Sequence, residues 1–500
     1  MKKNNLMSGA LILSIGGVLA KVFSAIYRIG LTRILGGEGI GIYQLVFPFY
    51  SLCVVLATAG LPMAISKVIS KNRGKEKSVV KKCMIFTSII SLIITFILLT
   101  CSHGLAGLQG NKDIAICYVI LAPTIILVSA TSVLRGYFQG RHDFTPSAVS
   151  NISEQFVKLV VGLVLSLALL GVSVMASIVG AMISIVISEV ISIFVLLVYF
   201  KKEPKSDAQA KVSIKELMKD IAPITLTNII LPISSFIDSV LVVNLLSVNF
   251  SNQLSVFLYG LESGAVSSLV SLPTIFSFAI ASVILPNLAK SEHKFNKNEK
   301  ISISIKIILI IAVPTVLCFL LVPDRVIRLL YGSRLNGFNI AGTAIASQLL
   351  AISSLGVVFL SINQIYSSSL QAIDERYVTI RNITIGVILK FVIELIFLPS
   401  KLLNIYALAV ANTVCYVTTM VLNHMEIREN FSLNISHVFV GKLLISNSVM
   451  LIVLLSVLSI SDTWSNTLLA LICGVVFYFF SLFYFKIFDR KEKAMLKYKV

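Results

Sequence analysis

Residues 16–30 of the chain read GGVLAKVFSAIYRIG and place two basic residues, Lys21 and Arg28, inside the first long apolar stretch. A Lys or Arg in the hydrocarbon of a membrane costs roughly 2.5–3.5 kcal/mol on insertion scales. The two residues are seven positions apart, so in a helix they fall on nearly one line, together with Gly17 and Ser24. We therefore expect this side of the first helix to avoid lipid.

The rest of the chain has the composition of an all-α, polytopic membrane protein. Hydrophobic residues make up 57% of the 500 and charged residues 13%, against about 25% charged in an average globular chain. Apolar stretches of about 20 residues, the length that crosses a bilayer, recur from end to end. The sequence predicts about fourteen transmembrane helices, at 7–28, 42–66, 83–104, 114–137, 146–170, 173–200, 220–246, 255–285, 303–323, 340–369, 377–399, 402–424, 438–460 and 464–488.

The formal net charge of +19 is explained by the orientation of these helices. With a cytoplasmic N-terminus, the basic residues, Arg135 among them, concentrate in the inside segments, such as 67–82, 201–219 and the tail 486–499. This distribution follows the positive-inside rule. No nucleic-acid-binding motif accompanies it, so we expect no nucleic-acid partner. We expect a multi-pass protein of the cell membrane with both termini cytoplasmic and with basic loops attracted to membrane lipids.

Motifs of enzymes are missing from the sequence. It contains no GxxxxGK[ST] P-loop, no HExxH and no GxSxG. The seven cysteines have neither CxxC nor metal-ligand spacing, and the five histidines form no cluster. We therefore expect no metal and no cofactor. A transporter without an ATPase must run on an ion gradient, the membrane potential or the gradient of its substrate.

The chain contains a weak internal repeat. GLPMAISKVISKNRGKEK near the second predicted helix resembles ILPNLAKSEHKFNKNEK near the eighth, and a shift of 232 residues that places Gln139 on Gln371 also places Lys158 on Lys390. Six plus six helices of equal orientation predict two lobes related by a parallel repeat, with a central cavity between them. The predicted organisation is an N-terminal lobe at 1–200, a basic cytoplasmic linker at 201–218, a C-terminal lobe at 219–424, and two appended helices with a basic tail at 425–500.

Ionisable residues inside the predicted helices are the candidate functional residues. Glu154 and Lys158 are four apart, as are Lys390 and Glu394, so each pair can be neutralised along one helix face. The pairs either fix helix packing or line the cavity and respond to substrate or ion, which makes Glu154 and Glu394 candidate ion-coupling or cavity acids. Glu189 is interpreted as reaching the membrane interface from the cytoplasmic end of its helix.

Four further ionisable residues have no oppositely charged residue within one helical turn. Asp238 and Glu262 are candidates for the site of a coupling ion, such as H⁺ or Na⁺. Lys21 and Arg28 suit an anionic ligand such as a phosphate or pyrophosphate, because Arg offers a planar fork of donors and Lys a point charge. Arg28 could instead extend its guanidinium toward the interface.

Several segments of the sequence resemble those of a known family. The segments at 20–52 (AKVFSAIYRIGLTRILGGEGIGIYQLVFPFYSL), 132–158 (SVLRGYFQGRHDFTPSAVSNISEQFVK) and 271–290 (SLPTIFSFAIASVILPNLAK) are similar to the polysaccharide-transport branch of the multidrug/oligosaccharidyl-lipid/polysaccharide flippase superfamily. The resemblance covers nearly the whole chain and extends to bacterial sporulation proteins and lipid II flippases.

This resemblance implies a fourteen-helix protein whose two lobes surround a cationic cavity. It implies that the substrate is an undecaprenyl-pyrophosphate-linked precursor, notably lipid II, moved from the inner to the outer leaflet, with a link to spore cortex peptidoglycan. It assigns Lys21 and Arg28 to the pyrophosphate. One departure is Ser268, which stands where Gram-negative lipid II flippases have an essential Arg. Lys158 and Lys390 could supply that missing positive charge.

Three other functions stay open. A cation-coupled multidrug antiporter shares the twelve-helix core, although we expect it to prefer acidic cavity residues. A non-transporting scaffold for cell-wall synthesis would tolerate loss of Lys21 and Arg28. A membrane glycosyltransferase or ligase needs an exterior catalytic loop, for which only 323–340 is long and basic enough. We expect a monomer, because the two lobes together already enclose the transport pathway.

Overall fold

The computed structural model describes residues 3–71, 75–201, 214–289, 294–373, 375–433 and 435–488. Most of the predicted linker 201–218 and the end of the basic tail lie outside these residues. The fold is all-α, and its helices in chain order are α1 (Lys3–Thr58), α2 (Leu61–Lys71), α3 (Glu76–Leu108), α4 (Ala115–Gly140), α5 (Thr145–Leu170), α6 (Val174–Lys201), α7 (Ile214–Leu246), α8 (Asn252–Tyr259), α9 (Ser267–Val270), α10 (Thr274–Ala289), α11 (Lys294–Leu321), α12 (Pro323–Tyr331), α13 (Gly342–Ala372), α14 (Arg376–Phe397), α15 (Tyr406–Asn430), α16 (His437–Leu458) and α17 (Trp464–Tyr484).

Within the described residues, eleven helices are long and apolar enough to cross a membrane, or twelve if the bent pair Asn252–Val270 and Thr274–Ala281 forms one span. This count and the predicted fourteen refer to the same helices. The stretch Ile15–Ser70 is counted once, although it contains two of the predicted spans. α14 corresponds to another predicted span but carries four charged residues in its 22, which keeps it out of a count based on apolar length.

The two spans predicted in the first 66 residues are joined by a break in the helix. Gly36 inside α1 has φ 71° and ψ −171°, a backbone conformation that residues with a Cβ rarely adopt. The chain is helical on both sides of Gly36, so the polar stretch between the two spans is continuous with them. The break lets α1 change direction without an intervening loop.

The packing of the helices divides the chain into two compact units. The first comprises 1–268 with 392–408, and the second comprises 269–391 with 409–500. The predicted lobe boundary at 201–218 rests on the charged segment between the sixth and seventh predicted helices, which is a different criterion. It stays a prediction, as does the central cavity.

In the first unit, the second half of α1 lies directly against the π-helical turn Gly260–Val266 that joins α8 to α9. A Cβ added at Gly260 would lie 2.7 Å from the Cα atom of Gly41. The side chain of Gln44 donates a hydrogen bond to the carbonyl oxygen of Ser263 in the same turn. The two backbones therefore touch at a crossing that only glycines permit.

We expect Gly260→Ala to destabilise the protein by about 1–3 kcal/mol, because the added methyl group overpacks this crossing. The measurement is the thermal unfolding midpoint of the purified variant in detergent. Gly107→Ala is the matched control, since a Cβ at Gly107 in α3 meets nothing within 4 Å. Equal midpoints for the two variants would show that the contact between α1 and the π-helical turn is not a close one.

In the second unit, the two C-terminal helices α16 and α17 pack on α11. The hydroxyl of Tyr478 in α17 donates to the carbonyl oxygen of Ile310 in α11 at 2.7 Å. Phe439, Leu443 and Tyr478 share one apolar cluster with Ile310. The appended helices are thus fixed to this unit by both apolar packing and a buried hydrogen bond.

The internal repeat is visible in the helices and in their polar contacts. At the shift of 232 residues, the start of α6 at Val174 corresponds to the start of α15 at Tyr406. The same shift relates two partly buried groups of hydrogen bonds. One joins Arg135, Ser150 and Ser192 in the first unit, and the other joins Ser367, Asn382 and Asn423 in the second, with Ser150 corresponding to Asn382 and Arg135 to Ser367. Helices that correspond in sequence therefore pack through polar residues at corresponding positions.

Candidate functional site

Lys21 and Arg28 lie on the side of α1 away from its exposed apolar stripe. At about 100° per residue the exposed stripe falls on one line, and the two basic residues fall roughly on the opposite side. Both basic residues are half-buried. The exposed large apolar residues of this part of α1 are Ile12, Ile15, Leu19, Val22 and Ile26. The apolar stripe is the surface that lipid would cover, so the basic stripe is turned toward the protein.

Arg28 and Lys158 come together in the first unit. α5, which carries Lys158, packs closely on α1, since a Cβ added at Gly162 would lie 2.6 Å from the ring of Tyr27. The Lys158 ammonium lies 5.3 Å from the centre of the Tyr27 ring and 5.5 Å from that of Phe47. Such cation–π contacts stabilise an ammonium by about 0.5–2 kcal/mol. The charge of Arg28 acts directly on Lys158. We call Arg28 and Lys158 the basic pair.

The sequence pairs Glu154 with Lys158, but the structure gives Glu154 another partner. The guanidinium of Arg135 in α4 lies 2.8 Å from the Glu154 carboxylate and also donates to the hydroxyls of Ser150 and Ser192, each at 3.1 Å. Arg135 was counted among the cytoplasmic charges, and that assignment misses this role. Its side chain is only 22% exposed and joins α4, α5 and α6.

Glu189 in α6 was expected to reach the membrane interface, and this expectation is wrong. The residue is only 7% exposed. Its carboxyl group is within hydrogen-bonding reach of Glu154, and the charges of Arg135 and Lys158 act on it. The spacing in the sequence could not reveal this contact, because its members lie on three different helices. We call Arg135, Glu154, Lys158 and Glu189 the charged cluster.

The candidate acids Asp238, Glu262 and Glu394 belong to another part of the first unit. All three are buried. Asp238 in α7 and Glu394 in α14 both act electrostatically on the hydroxyl of Tyr259, and Glu262 lies in the π-helical turn that begins one residue later. Interruptions of this kind in a helix are frequent at functional sites. The structure therefore brings two of the predicted ion-coupling residues near one tyrosine and the third into the adjoining turn.

Lys390 is buried and belongs to the second unit, whereas Glu394 belongs to the first. Their pairing along α14 stays a prediction, and so does a role for Lys390 beside Lys158. Ser268, which replaces the Arg of Gram-negative flippases, is also buried, and its hydroxyl donates to the carbonyl oxygen of Gly264 one turn earlier.

The chemistry of the basic pair suits the binding of an anion. Over the part of the chain that the structure describes, no group of three or more His, Cys, Asp or Glu side chains could hold a metal ion. The basic pair offers a guanidinium and an ammonium beside aromatic rings. That combination can bind an anion such as a phosphate through charge-assisted hydrogen bonds.

The chain is similar to several proteins of Bacillus subtilis (strain 168). It is 28% identical over 326 residues to the uncharacterized membrane protein YabM of Bacillus subtilis (strain 168), a match that covers 62% of this chain and 61% of that protein. It is 26% identical over 441 residues to Stage V sporulation protein B of the same organism, covering 84% and 82%. It is 22% identical over 491 residues to the lipid II flippase MurJ of that organism, covering 92% and 88%.

Solved structures show the same fold. A lipid II flippase MurJ in an inward closed conformation matches 95% of this chain and 99% of its own, with a TM-score of 0.71 and 18% identity. An inward-facing MATE multidrug resistance transporter matches 85% and 97%, with a TM-score of 0.66 and 17% identity. These likenesses show the fold. The resemblance that the sequence motifs indicate is confirmed by the family match together with the matches to Stage V sporulation protein B and to MurJ. Residues 6–292 match the family described as Polysaccharide biosynthesis protein, and the chain belongs to that family.

Proposed function

We propose that this protein is a flippase that moves an undecaprenyl-pyrophosphate-linked peptidoglycan precursor from the inner to the outer leaflet of the cell membrane. The precursor is lipid II or a similar lipid-linked oligosaccharide, used in the spore cortex or the cell wall. The observation that carries the proposal is the basic pair: Arg28 lies on the side of α1 away from its exposed apolar stripe, and its charge acts on Lys158 of α5. The relatives named for sporulation and for lipid II flipping support the same substrate class.

The basic residues suit the physical requirements for moving a lipid with a charged head across the membrane. Its sugar and pyrophosphate head cannot cross hydrocarbon unaided, because each polar group would lose its hydrogen bonds to water. Its isoprenoid tail can stay in the bilayer throughout. A protein therefore needs to shelter only the head, and basic side chains turned away from lipid provide a place for the pyrophosphate. Lys21, about 10 Å from Arg28 by helical rise, and Lys390 are the further cations of this proposal.

Directed movement needs a difference in affinity between the inward-open and outward-open states. We assign that role to H⁺ or Na⁺ binding at Asp238, Glu262 or Glu394, or to the membrane potential acting on the basic residues. The protein is expected to act as a multi-pass monomer with cytoplasmic termini, without a cofactor and without enzymatic activity.

A cation-coupled multidrug antiporter is the second candidate, favoured by the fold shared with the MATE transporter. The two functions differ in what the basic pair does. A phosphate carrier needs these cations, whereas a carrier of cationic drugs is hindered by them. Substituting Arg28 should thus weaken lipid transport in the first case and leave drug transport unchanged or improved in the second.

The proposal is tested in cells depleted of their other lipid II flippases. We expect expression of this protein to restore the exposure of lipid II in the outer leaflet, measured by its accessibility to an impermeant reagent. An inactive relative expressed to the same level serves as the control. Unchanged exposure, with the protein present in the membrane at a normal level, would contradict the proposed function.

A further inference from the structure

The charged cluster contains two acids that face one another inside the first unit. Glu189 in α6 is 7% exposed, and its carboxyl group is within hydrogen-bonding reach of that of Glu154 in α5. One carboxylate oxygen of Glu189, Oε2, is fully buried and accepts no hydrogen bond. An ionised carboxylate in such a place lacks the donors that would replace water.

The donors around the pair are directed at Glu154 instead. Arg135 donates to Oε2 of Glu154 at 2.8 Å, and the side chain of Gln155 donates to Oε1 at 2.7 Å. Both oxygens of Glu154 therefore have donors that suit its ionised form. Two neighbouring carboxyl groups in a low-dielectric site cannot both ionise easily, and one proton held between them relieves the repulsion.

The groups that interact electrostatically with Glu189 come from three neighbouring helices. Arg135 comes from α4, and Glu154 and Lys158 come from α5. From α1, the hydroxyl of Tyr50 is affected by the charge of Glu189 and accepts a hydrogen bond from Thr124 at 3.0 Å. Two cations thus face two acids, and the cluster is neutral when both acids are ionised.

From this geometry we infer that Glu154 and Glu189 form a proton-binding site that sets the net charge beside Arg28. With one shared proton, Glu189 donates it as a carboxylic acid to the ionised Glu154, and the charged cluster has a net charge of one positive unit. When the proton leaves, that charge falls to zero. The site differs from Asp238, Glu262 and Glu394, which surround or adjoin Tyr259.

The effect of this proton site on substrate binding rests on the proposed function. A pyrophosphate at the basic pair feels the net charge of the cluster, because Lys158 belongs to both groups. Proton binding and anion binding should therefore strengthen one another, and by linkage each must do so by the same factor. Uptake of a proton at Glu189 should accompany binding of the anionic head.

Infrared spectroscopy of the purified protein in lipid nanodiscs tests the proton site without any substrate. We expect a band from a protonated carboxyl group at neutral pH that disappears in Glu189→Gln. Glu189→Asp, which keeps the acid but withdraws it from Glu154, should shift the band. Ser188→Ala is the matched control, because Ser188 is buried in the same helix and donates to the carbonyl oxygen of Ile185. An unaltered band in both Glu189 variants would overturn the inference.

The second measurement is the affinity for undecaprenyl pyrophosphate as a function of pH. We expect the wild type to bind about tenfold more weakly at high pH than at low pH, a factor typical of linked sites, and Glu189→Gln to change less than about twofold. An identical pH dependence in both proteins would overturn the linkage. Absence of binding by the wild type would contradict the proposed function, and the infrared result then decides the proton site by itself.

Discussion

Replacing Arg28 with glutamine is expected to reduce translocation of lipid II at least tenfold, by about 1.5–3 kcal/mol of lost interaction, the strength of a hydrogen bond to a charged group. Arg28→Gln removes the charge but keeps a polar side chain of moderate length, so helix packing should survive. The measurement is the rate of outer-leaflet exposure in the flippase-depleted cells, normalised to the amount of protein in the membrane.

Arg33→Gln is the matched control, because Arg33 is an exposed basic residue of the same helix. It lies five positions from Arg28 and should be replaceable with less than a twofold change. Equal losses in the two variants would mean that the general charge of α1, rather than the basic pair, supports transport. Normal transport by Arg28→Gln would favour the scaffold or the drug antiporter.

Replacing Arg135 with glutamine is expected to destabilise the protein by about 1–3 kcal/mol, because it leaves a largely desolvated carboxylate without its charged partner. Arg135 and Glu154 are only 22% and 13% exposed, and the guanidinium also holds two serine hydroxyls. The variant should be recovered from membranes in low yield. Glutamine at both Arg135 and Glu154 should recover a large part of the loss, since neither charge is then left alone.

The control for this prediction is a variant that breaks an ion pair on the protein surface. Arg328 and Asp324 in α12 are 3.0 Å apart, but their side chains are 63% and 44% exposed. Such pairs contribute roughly 0–1 kcal/mol, so Asp324→Asn should hardly change the unfolding midpoint. A similar midpoint for Arg135→Gln and Asp324→Asn would show that the Arg135–Glu154 pair carries no special share of the stability.

The sequence predicted the class of fold because the signals for it are local. Twenty apolar residues in a row identify a span wherever its neighbours lie, and Lys21 and Arg28 share a helix face by spacing alone. The resemblance of motifs then supplied the family. The order of the helices, the repeat that relates α6 to α15 and the two appended helices all follow from information of this kind.

The charged cluster could not be predicted because its contacts join different helices. Spacing pairs Glu154 with Lys158, yet Arg135, nineteen residues earlier, reaches the carboxylate first. The position of Glu189 in the sequence predicts a place at the membrane interface, but the packing of α5 on α6 buries it. The contact of Gly41 with Gly260 also spans two hundred residues. The internal repeat is the one sequence feature that points to this region, because Ser150 and Arg135 correspond to Asn382 and Ser367, which also join helices through hydrogen bonds.

The most direct test of the account is translocation by the purified protein in proteoliposomes that carry lipid II in both leaflets. The fraction accessible to an impermeant reagent is followed over time for the wild type, Arg28→Gln and Arg33→Gln. We expect the wild type and Arg33→Gln to make the inner-leaflet pool accessible, and Arg28→Gln to do so at least tenfold more slowly. Equal rates for all three, or a wild-type rate no faster than that of empty liposomes, would contradict the claim that the basic pair carries a phosphorylated lipid head.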